Sequence, residues 1–376
     1  MKIANFKYGY AQGFSIVELL VSLVIASVIL GGVVQVALSG KRSAMDGQEV
    51  SFIQDNARYV IDQLKRDTMA AGFMGCAGAG NTNLVNAVVD DLDGFINLEY
   101  GIQGYEADAG ATTFPDAYEA DVASGTDSYI VRYADAGREY KVKTHSNAAN
   151  TFFLWEAEEI PRGTTLMATD SNCRSTSLFQ SVGSGSSSTE IDHTADASRN
   201  CTSVLKTGDA TSQDCSTCTA SSCGTLGFTG QDYFSGSVVM PYRAYAYYIG
   251  ESTVVAGMPA LKRRALSTES GNAVTILEEI AHGVEDMQVS YGVDINQDGS
   301  EIQFFDADAI PDNDSDSNPD WESVVTVRIT LTFRSSVDVY SENQNVVVKI
   351  DGVDKTLSTD KILRQVVTTT IRLRNT

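Results

Sequence analysis

Between Phe14 and Leu38 the chain carries a single ionised side chain, Glu18, in an otherwise apolar stretch. At 1.5 Å rise per residue that stretch is long enough to cross the hydrocarbon of a bilayer as one helix. A carboxylate at a helix centre in lipid costs about 2.5–3.5 kcal/mol, so intramembrane acids are paired and functional. Glu18 therefore needs a partner. Residues 1–13 hold Lys2 and Lys7 and no acid, the composition of a basic leader on an exported chain. An ordinary secretory signal puts its small-residue cleavage site after the apolar run, whereas Gly13 stands before it.

Cleavage between Gly13 and Phe14 resolves the mismatch. It keeps the apolar helix in the mature chain and leaves a new α-amine on Phe14, at the same depth as Glu18. Phe14 and Glu18 are four residues apart, so the pair can close within one chain; the amine of a neighbouring chain can serve as well, and spacing does not choose between them. Leader, Gly13, Phe14, Glu18 and apolar run together resemble the class III signal of type IV prepilins. The resemblance implies a prepilin peptidase that cuts after Gly13 and N-methylates Phe14, and a Glu18 that meets the amine of a neighbouring subunit during assembly. The alternative is a plain membrane anchor in which Glu18 snorkels or is protonated. Gly31-Gly32 weakens the helix by about 1 kcal/mol per glycine relative to alanine, which predicts a bend or local melting there.

After the apolar run, Val50, Ile53, Ala57, Val60 and Leu64 recur at spacings of three and four, with Asp46, Glu49, Asp55, Arg58, Asp62 and Lys65 between them. This pattern predicts an amphipathic continuation of the first helix, with one stripe against a globular head. Gly72 or Gly75 supplies the stop. Beyond residue 76 the period changes to two. Val325, Val327, Ile329, Leu331 and Phe333 alternate with polar residues, as do Val367, Thr369, Ile371 and Leu373. Shorter strands are expected over 128–133, 139–143, 152–156, 237–249, 261–266 and 287–293. The expected fold is α+β: a long N-terminal helix packed on a mainly antiparallel sheet. The division is a leader at 1–13, a membrane-spanning half-helix at 14–38, an amphipathic half at 39–75 and a head at 76–376. A Ser/Thr/Gly/Asp-rich stretch at about 181–230 reads as a surface insertion. With 49 acidic against 27 basic residues, the chain is unsuited to non-specific nucleic-acid binding.

Several head segments carry a second resemblance. They are Ala71 to Cys76, Asp170 to Cys173 with Leu178 to Gln180, Glu278 to Asp294, Trp321 to Val325 and Leu373 to Asn375. These are similar to the PilW-type minor pilins, and the resemblance implies a type IV pilin-like fold. It also implies a subunit of the complex that primes the type IV pilus and stays near its tip. Its partners would be other minor pilins, the major pilin, a large tip adhesin, the prepilin peptidase and the inner-membrane assembly platform. The head would be periplasmic before assembly and extracellular afterwards, in support of adhesion and twitching motility. Retention of Glu18 implies a place below the topmost subunit. Two other readings use the same residues: a minor pseudopilin of type II secretion, or a membrane-anchored periplasmic binding protein or enzyme.

Six cysteines, Cys76, Cys173, Cys201, Cys215, Cys218 and Cys223, suit disulfides in an oxidising compartment. The expected bridge is Cys76 with Cys173, the other four stapling the polar stretch. A redox Cys215-x-x-Cys218, or zinc on Cys215, Cys218, Cys223 and His193, lacks the surrounding pattern either needs. Asp294, Asn296 and Asp298, followed by Gly299, match the first half of a calcium-binding loop. Phe305 stands where the closing Glu belongs, so Asp306, Asp308, Asp312, Asp314 or Asp316 would supply the remaining oxygens; a plain Asx-rich turn reads the same residues. No nucleophile motif or phosphate-binding loop accompanies His145, His193 and His282, and no catalytic residue is expected.

Overall fold

The computed structural model describes residues 15–75, 84–90, 92–106, 114, 121–183, 186–196, 198–206, 213–214, 230–296, 301–312, 319–350 and 353–374. The chain divides between Phe52 and Ile53 into two compact units. Helix α1, Ile16–Ala70, runs through the boundary.

In the first unit every apolar side chain of the stretch from Ile16 to Leu38 is exposed, Ile16 by 81% and Val36 by 74%. The helix is long and apolar enough there to cross a membrane. It passes through Gly31 and Gly32 without a break, so the expected local melting is absent. Main-chain hydrogen bonds on either side carry the ladder across two residues that only weaken it.

In the second unit Ile53, Ala57, Val60 and Leu64 are buried, as the stripe requires. Val50, expected on that stripe, is 38% exposed and lies in the first unit. The helix stops at Ala70 because Gly72 turns into the left-handed region at φ 79°. Beyond it, the Gly72 N–H donates to the Arg132 carbonyl at 3.0 Å and the Ala134 N–H to the Phe73 carbonyl at 2.7 Å. The chain leaving the helix is thereby fastened to the strand Ser128–Ala134.

The head contains strands β1 Leu84–Asn86, β2 Ile102–Tyr105, β3 Ser128–Ala134, β4 Tyr140–Ser146, β5 Thr151–Glu158, β6 Thr165–Thr169, β7 Thr176–Gln180, β8 Ser188–Asp192, β9 Gln213–Asp214 and β10 Val238–Glu251. Then follow β11 Pro259–Glu269, β12 Asn272–His282, β13 Val284–Asp294, β14 Ile302–Phe305, β15 Val324–Asp338, β16 Gln344–Ile350, β17 Val353–Asp360 and β18 Ile362–Arg372. Pairing is antiparallel except where β1 runs parallel to β7 and β9.

Strand β10 joins the two halves of the largest sheet. Its first residues pair with β4 and β6, and from Tyr242 onward it pairs with β3 and β11. Alternation along it splits its side chains between layers. Met240, Tyr242, Ala244, Ala246 and Tyr248 enter one apolar core, while Val239 enters a second core around Val142, Phe152, Phe179 and Tyr233. A separate four-stranded sheet runs β14-β13-β15-β18, and β16 pairs with β17 as a two-stranded ribbon.

The polar stretch expected as a surface insertion is part of the head over much of its described length. It contains β8, and His193, Asn200, Leu205 and Lys206 are buried. Asn200 explains how a polar residue belongs there. Its side-chain amide accepts from the Gln180 N–H at 2.8 Å and donates to the Gln180 carbonyl at 2.7 Å, closing the end of β7 as a strand would.

Candidate functional site

The helix start is the first candidate. Ser15 precedes the first helical residue, and the Leu19 N–H donates to the Ser15 carbonyl at 3.1 Å. Three residues on, Glu18 turns back so that its Oε2 accepts from the Ser15 N–H at 3.4 Å. Ser-x-x-Glu is the sequence of a capping box, and it places a carboxylate at the positive end of the helix dipole. The sequence reading credited Glu18 with pairing an amine and missed this second use, although the Ser15–Glu18 spacing signals it. The proposed cleavage site, Gly13 and Phe14, lies outside the described residues.

The second candidate is the join between the lower helix and the sheet. Asp67 is 7% exposed, on the same face as Leu64. Its carboxylate accepts from Gln63 Nε2 at 2.8 Å, Arg263 Nη1 at 3.1 Å, the Tyr133 hydroxyl at 3.4 Å and the Tyr247 hydroxyl. Arg263 continues to Glu278, its Nε 2.8 Å from Oε2, and lies 4.3 Å over the Tyr245 ring. Burial, with the Asp67 charge next to it, raises the Tyr247 and Tyr133 hydroxyls well above their usual range, so both stay protonated donors. One residue on, Thr68 bonds the Tyr129 hydroxyl at 3.2 Å. The helix is thus tied to β3, β10 and β11 by a satisfied polar network inside an apolar contact. Sequence reading found the stripe and missed its polar members.

The other expected residues are spread through the head. Cys173 and Cys201 are both disulfide-bonded, whereas Cys76, Cys215, Cys218 and Cys223 lie outside the described residues. Asp294 ends β13 opposite Ile302, and Asn296 donates to Glu301 at 3.2 Å; Asp298 is outside the described residues. Among the described residues no group of three or more His, Cys, Asp or Glu is spaced to hold a metal. His145 and His193 face each other in the second core, and the His282 carbonyl accepts from Asn56 on the helix at 3.0 Å.

Two family models match this chain. One, described as Type IV Pilus-assembly protein W, covers residues 246–375, and the other, described as Prokaryotic N-terminal methylation motif, covers residues 9–34. The C-terminal part of the chain is therefore similar to the PilW family, and its N-terminal part to the methylation motif. The PilW match opens inside β10 and runs to the last strand, while the methylation motif spans the leader end, Gly13, Phe14 and Glu18. The architecture is α+β, one long N-terminal helix with a mostly antiparallel head. No curated protein matches the chain. A type IV-like pilin from Thermus thermophilus is similar at 14% identity over 36% of this chain and 69% of its own, with a TM-score of 0.22. That likeness is too loose to carry any structural argument.

Proposed function

We propose that this chain is a minor pilin of the type IV pilus, a subunit of the complex that primes the filament and supports adhesion and twitching motility. The observation that supports the reading is the helix start: an exposed apolar stretch of helix whose one acid turns back toward the N-terminus, within the stretch that matches the methylation motif. A buried charge in lipid is retained where a counter-charge arrives, and cleavage after Gly13 supplies it as the Phe14 amine. The role is structural rather than catalytic. Its partners would be other minor pilins, the major pilin, a tip adhesin, the prepilin peptidase and the inner-membrane platform. Before assembly the head would be periplasmic, where Cys76 and Cys173 would pair.

Mass spectrometry of the mature N-terminus, with and without prepilin peptidase, tests this reading. N-methylated Phe14 is expected when the peptidase is present, and a chain that keeps residues 1–13 there overturns it. Glu18→Ala should be processed normally yet assemble poorly. Pilus counts and secretion assays in a deletion strain then separate a pilus subunit from a type II secretion pseudopilin.

A further inference from the structure

His145 on β4 and His193 just after β8 lie in the part of the head outside the PilW match, and the proposed pilus role makes no use of them. Their Nε2 atoms are 3.0 Å apart, their rings stack at 5.1 Å, and Phe152, Phe179 and Tyr233 wall them in. The Tyr233 backbone N–H donates to His145 Nδ1 at 3.1 Å. An amide N–H can only donate, so Nδ1 holds a lone pair and neutral His145 carries its proton on Nε2. That proton points at His193 Nε2, which must accept, so the His193 proton sits on Nδ1. The two facing nitrogens share a proton; a metal would require both lone pairs free.

We infer that this pair is an acid-operated latch, which one added proton opens, releasing Gly230–Phe234 and the chain after β8 from the β4–β5 hairpin. A proton on His145 Nδ1 sets two N–H groups head to head with Tyr233. A proton on His193 Nε2 does the same across the 3.0 Å gap. Three groups are fastened here: His193 N–H to the Asn150 carbonyl at 2.9 Å, Asn147 N–H to Asp232 Oδ1 at 2.6 Å, and Tyr233 to His145.

The charged groups that face the pair set its direction. From the Gly230–Phe234 segment, Asp232 Oδ1 is 3.6 Å from His145 Nδ1, a ready acceptor that can be reached only by giving up Tyr233. From the chain after Asn200, Lys206 is held by Asp170 at 3.0 Å and the Asp232 carbonyl at 3.4 Å. From strands β5 and β7 the uncharged rings of Phe152 and Phe179 pack on the pair. Burial outweighs Asp232 and, with Lys206, pushes His145 down to about 4; burial and then His145 push His193 down to about 3. Closed, both rings stay neutral; open, they return to an ordinary value near 6.5. The advantage of the closed state is therefore complete above pH 6.5 and shrinks as pH falls toward 4. Between pH 7.5 and 4.5 the open state gains roughly 100-fold per histidine, on the order of 10⁴ for the pair.

The test uses the full-length protein in detergent micelles, and with three histidines in the chain nitrogen-15 histidine spectra are readily assigned. His145 should be the Nε2–H tautomer and His193 the Nδ1–H tautomer, both neutral at pH 5. Hydrogen exchange, corrected for its chemical pH dependence, should show peptides covering 193–195 and 230–234 opening at least 100-fold more at pH 4.5 than at 7.5. His145→Asn keeps an acceptor for Tyr233 and cannot titrate, so its acid response should be smaller by about 100-fold. Rings that protonate near pH 6.5, the opposite tautomers, or an unchanged acid response in His145→Asn would each overturn the latch. Should that variant not fold, the wild-type spectra decide alone.

Discussion

A carboxylate on the buried face of a helix persists only where its lone pairs are used, and at Asp67 four donors from three strands and the helix itself use them. Leaving a buried donor without its acceptor costs about 1–3 kcal/mol. Asp67→Ala should therefore lower the unfolding free energy by about that amount, read from guanidinium titration in detergent, because the Tyr247 and Tyr133 hydroxyls lose their acceptor while Arg263 keeps Glu278. Asp67→Asn keeps the hydrogen-bond acceptor and should lose less. An Asp67→Ala loss below about 1 kcal/mol, the size of an exposed pair, would show that solvent reaches the site. The sequence held a signal for this residue: continuing the stripe from Leu64 by three and four residues lands on Asp67 and Thr68. Polar residues were passed over because periodicity arguments count only apolar ones. The partners were not legible, since Tyr247 and Arg263 lie far along the chain and meet Asp67 only through tertiary packing.

At the scale of elements, the first unit of α1 tests how much the helix is limited by its own glycines. A Cβ built on Gly31 or Gly32 meets nothing within 4 Å. Gly31→Ala with Gly32→Ala should therefore stabilise the helix by about 1 kcal/mol per site. Circular dichroism in detergent should show a higher helical melting temperature with the head unchanged. Reduced pilus assembly by the same variant would indicate that the weakness at 31–32 is used in assembly. Strands divided sharply by legibility. Strand β15 alternates cleanly because one face is buried, and β3, β4, β5, β10, β11 and β13 were legible from their aromatic and β-branched content. Strands β6 and β7 are buried at every position, so they lack alternation, and Thr165, Thr169, Thr176 and Ser177 disguise them as polar loop. Strand β12 is half exposed along most of its length and pairs only with β11 among the described strands. Neither face gave it a period. At the N-terminus the opposite holds: lipid makes the charge of Glu18 conspicuous in the sequence, and the stretch around it matches the methylation motif.

At the scale of the molecule, the PilW match begins at residue 246, in the middle of β10, yet the structure gives no boundary there. Cutting at 246 removes β3, which pairs with β10 from Tyr242 to Tyr247, and the helix that covers Tyr247. It also severs the second sheet from its support. Asp127 donates its N–H to the Met287 carbonyl at 2.9 Å and accepts from the Val289 N–H at 2.8 Å. The Tyr291 ring packs so closely on Gly104 that an added Cβ would stand 2.1 Å from its hydroxyl. Val284, Met287, Tyr291 and Val293, all buried, would lose part of their cover, at roughly 25 cal/mol for each Å² of apolar surface returned to water. A fragment spanning 246–375 should therefore show no cooperative thermal transition and poor amide dispersion. The compact unit 53–376, prepared under oxidising conditions so that Cys173 and Cys201 stay bridged, should unfold cooperatively. A cooperative transition in the shorter fragment would mean that the second sheet, with β11 and β12, carries its own core, and that the layer holding Cys173, Cys201 and the paired histidines is an addition to an independent PilW domain.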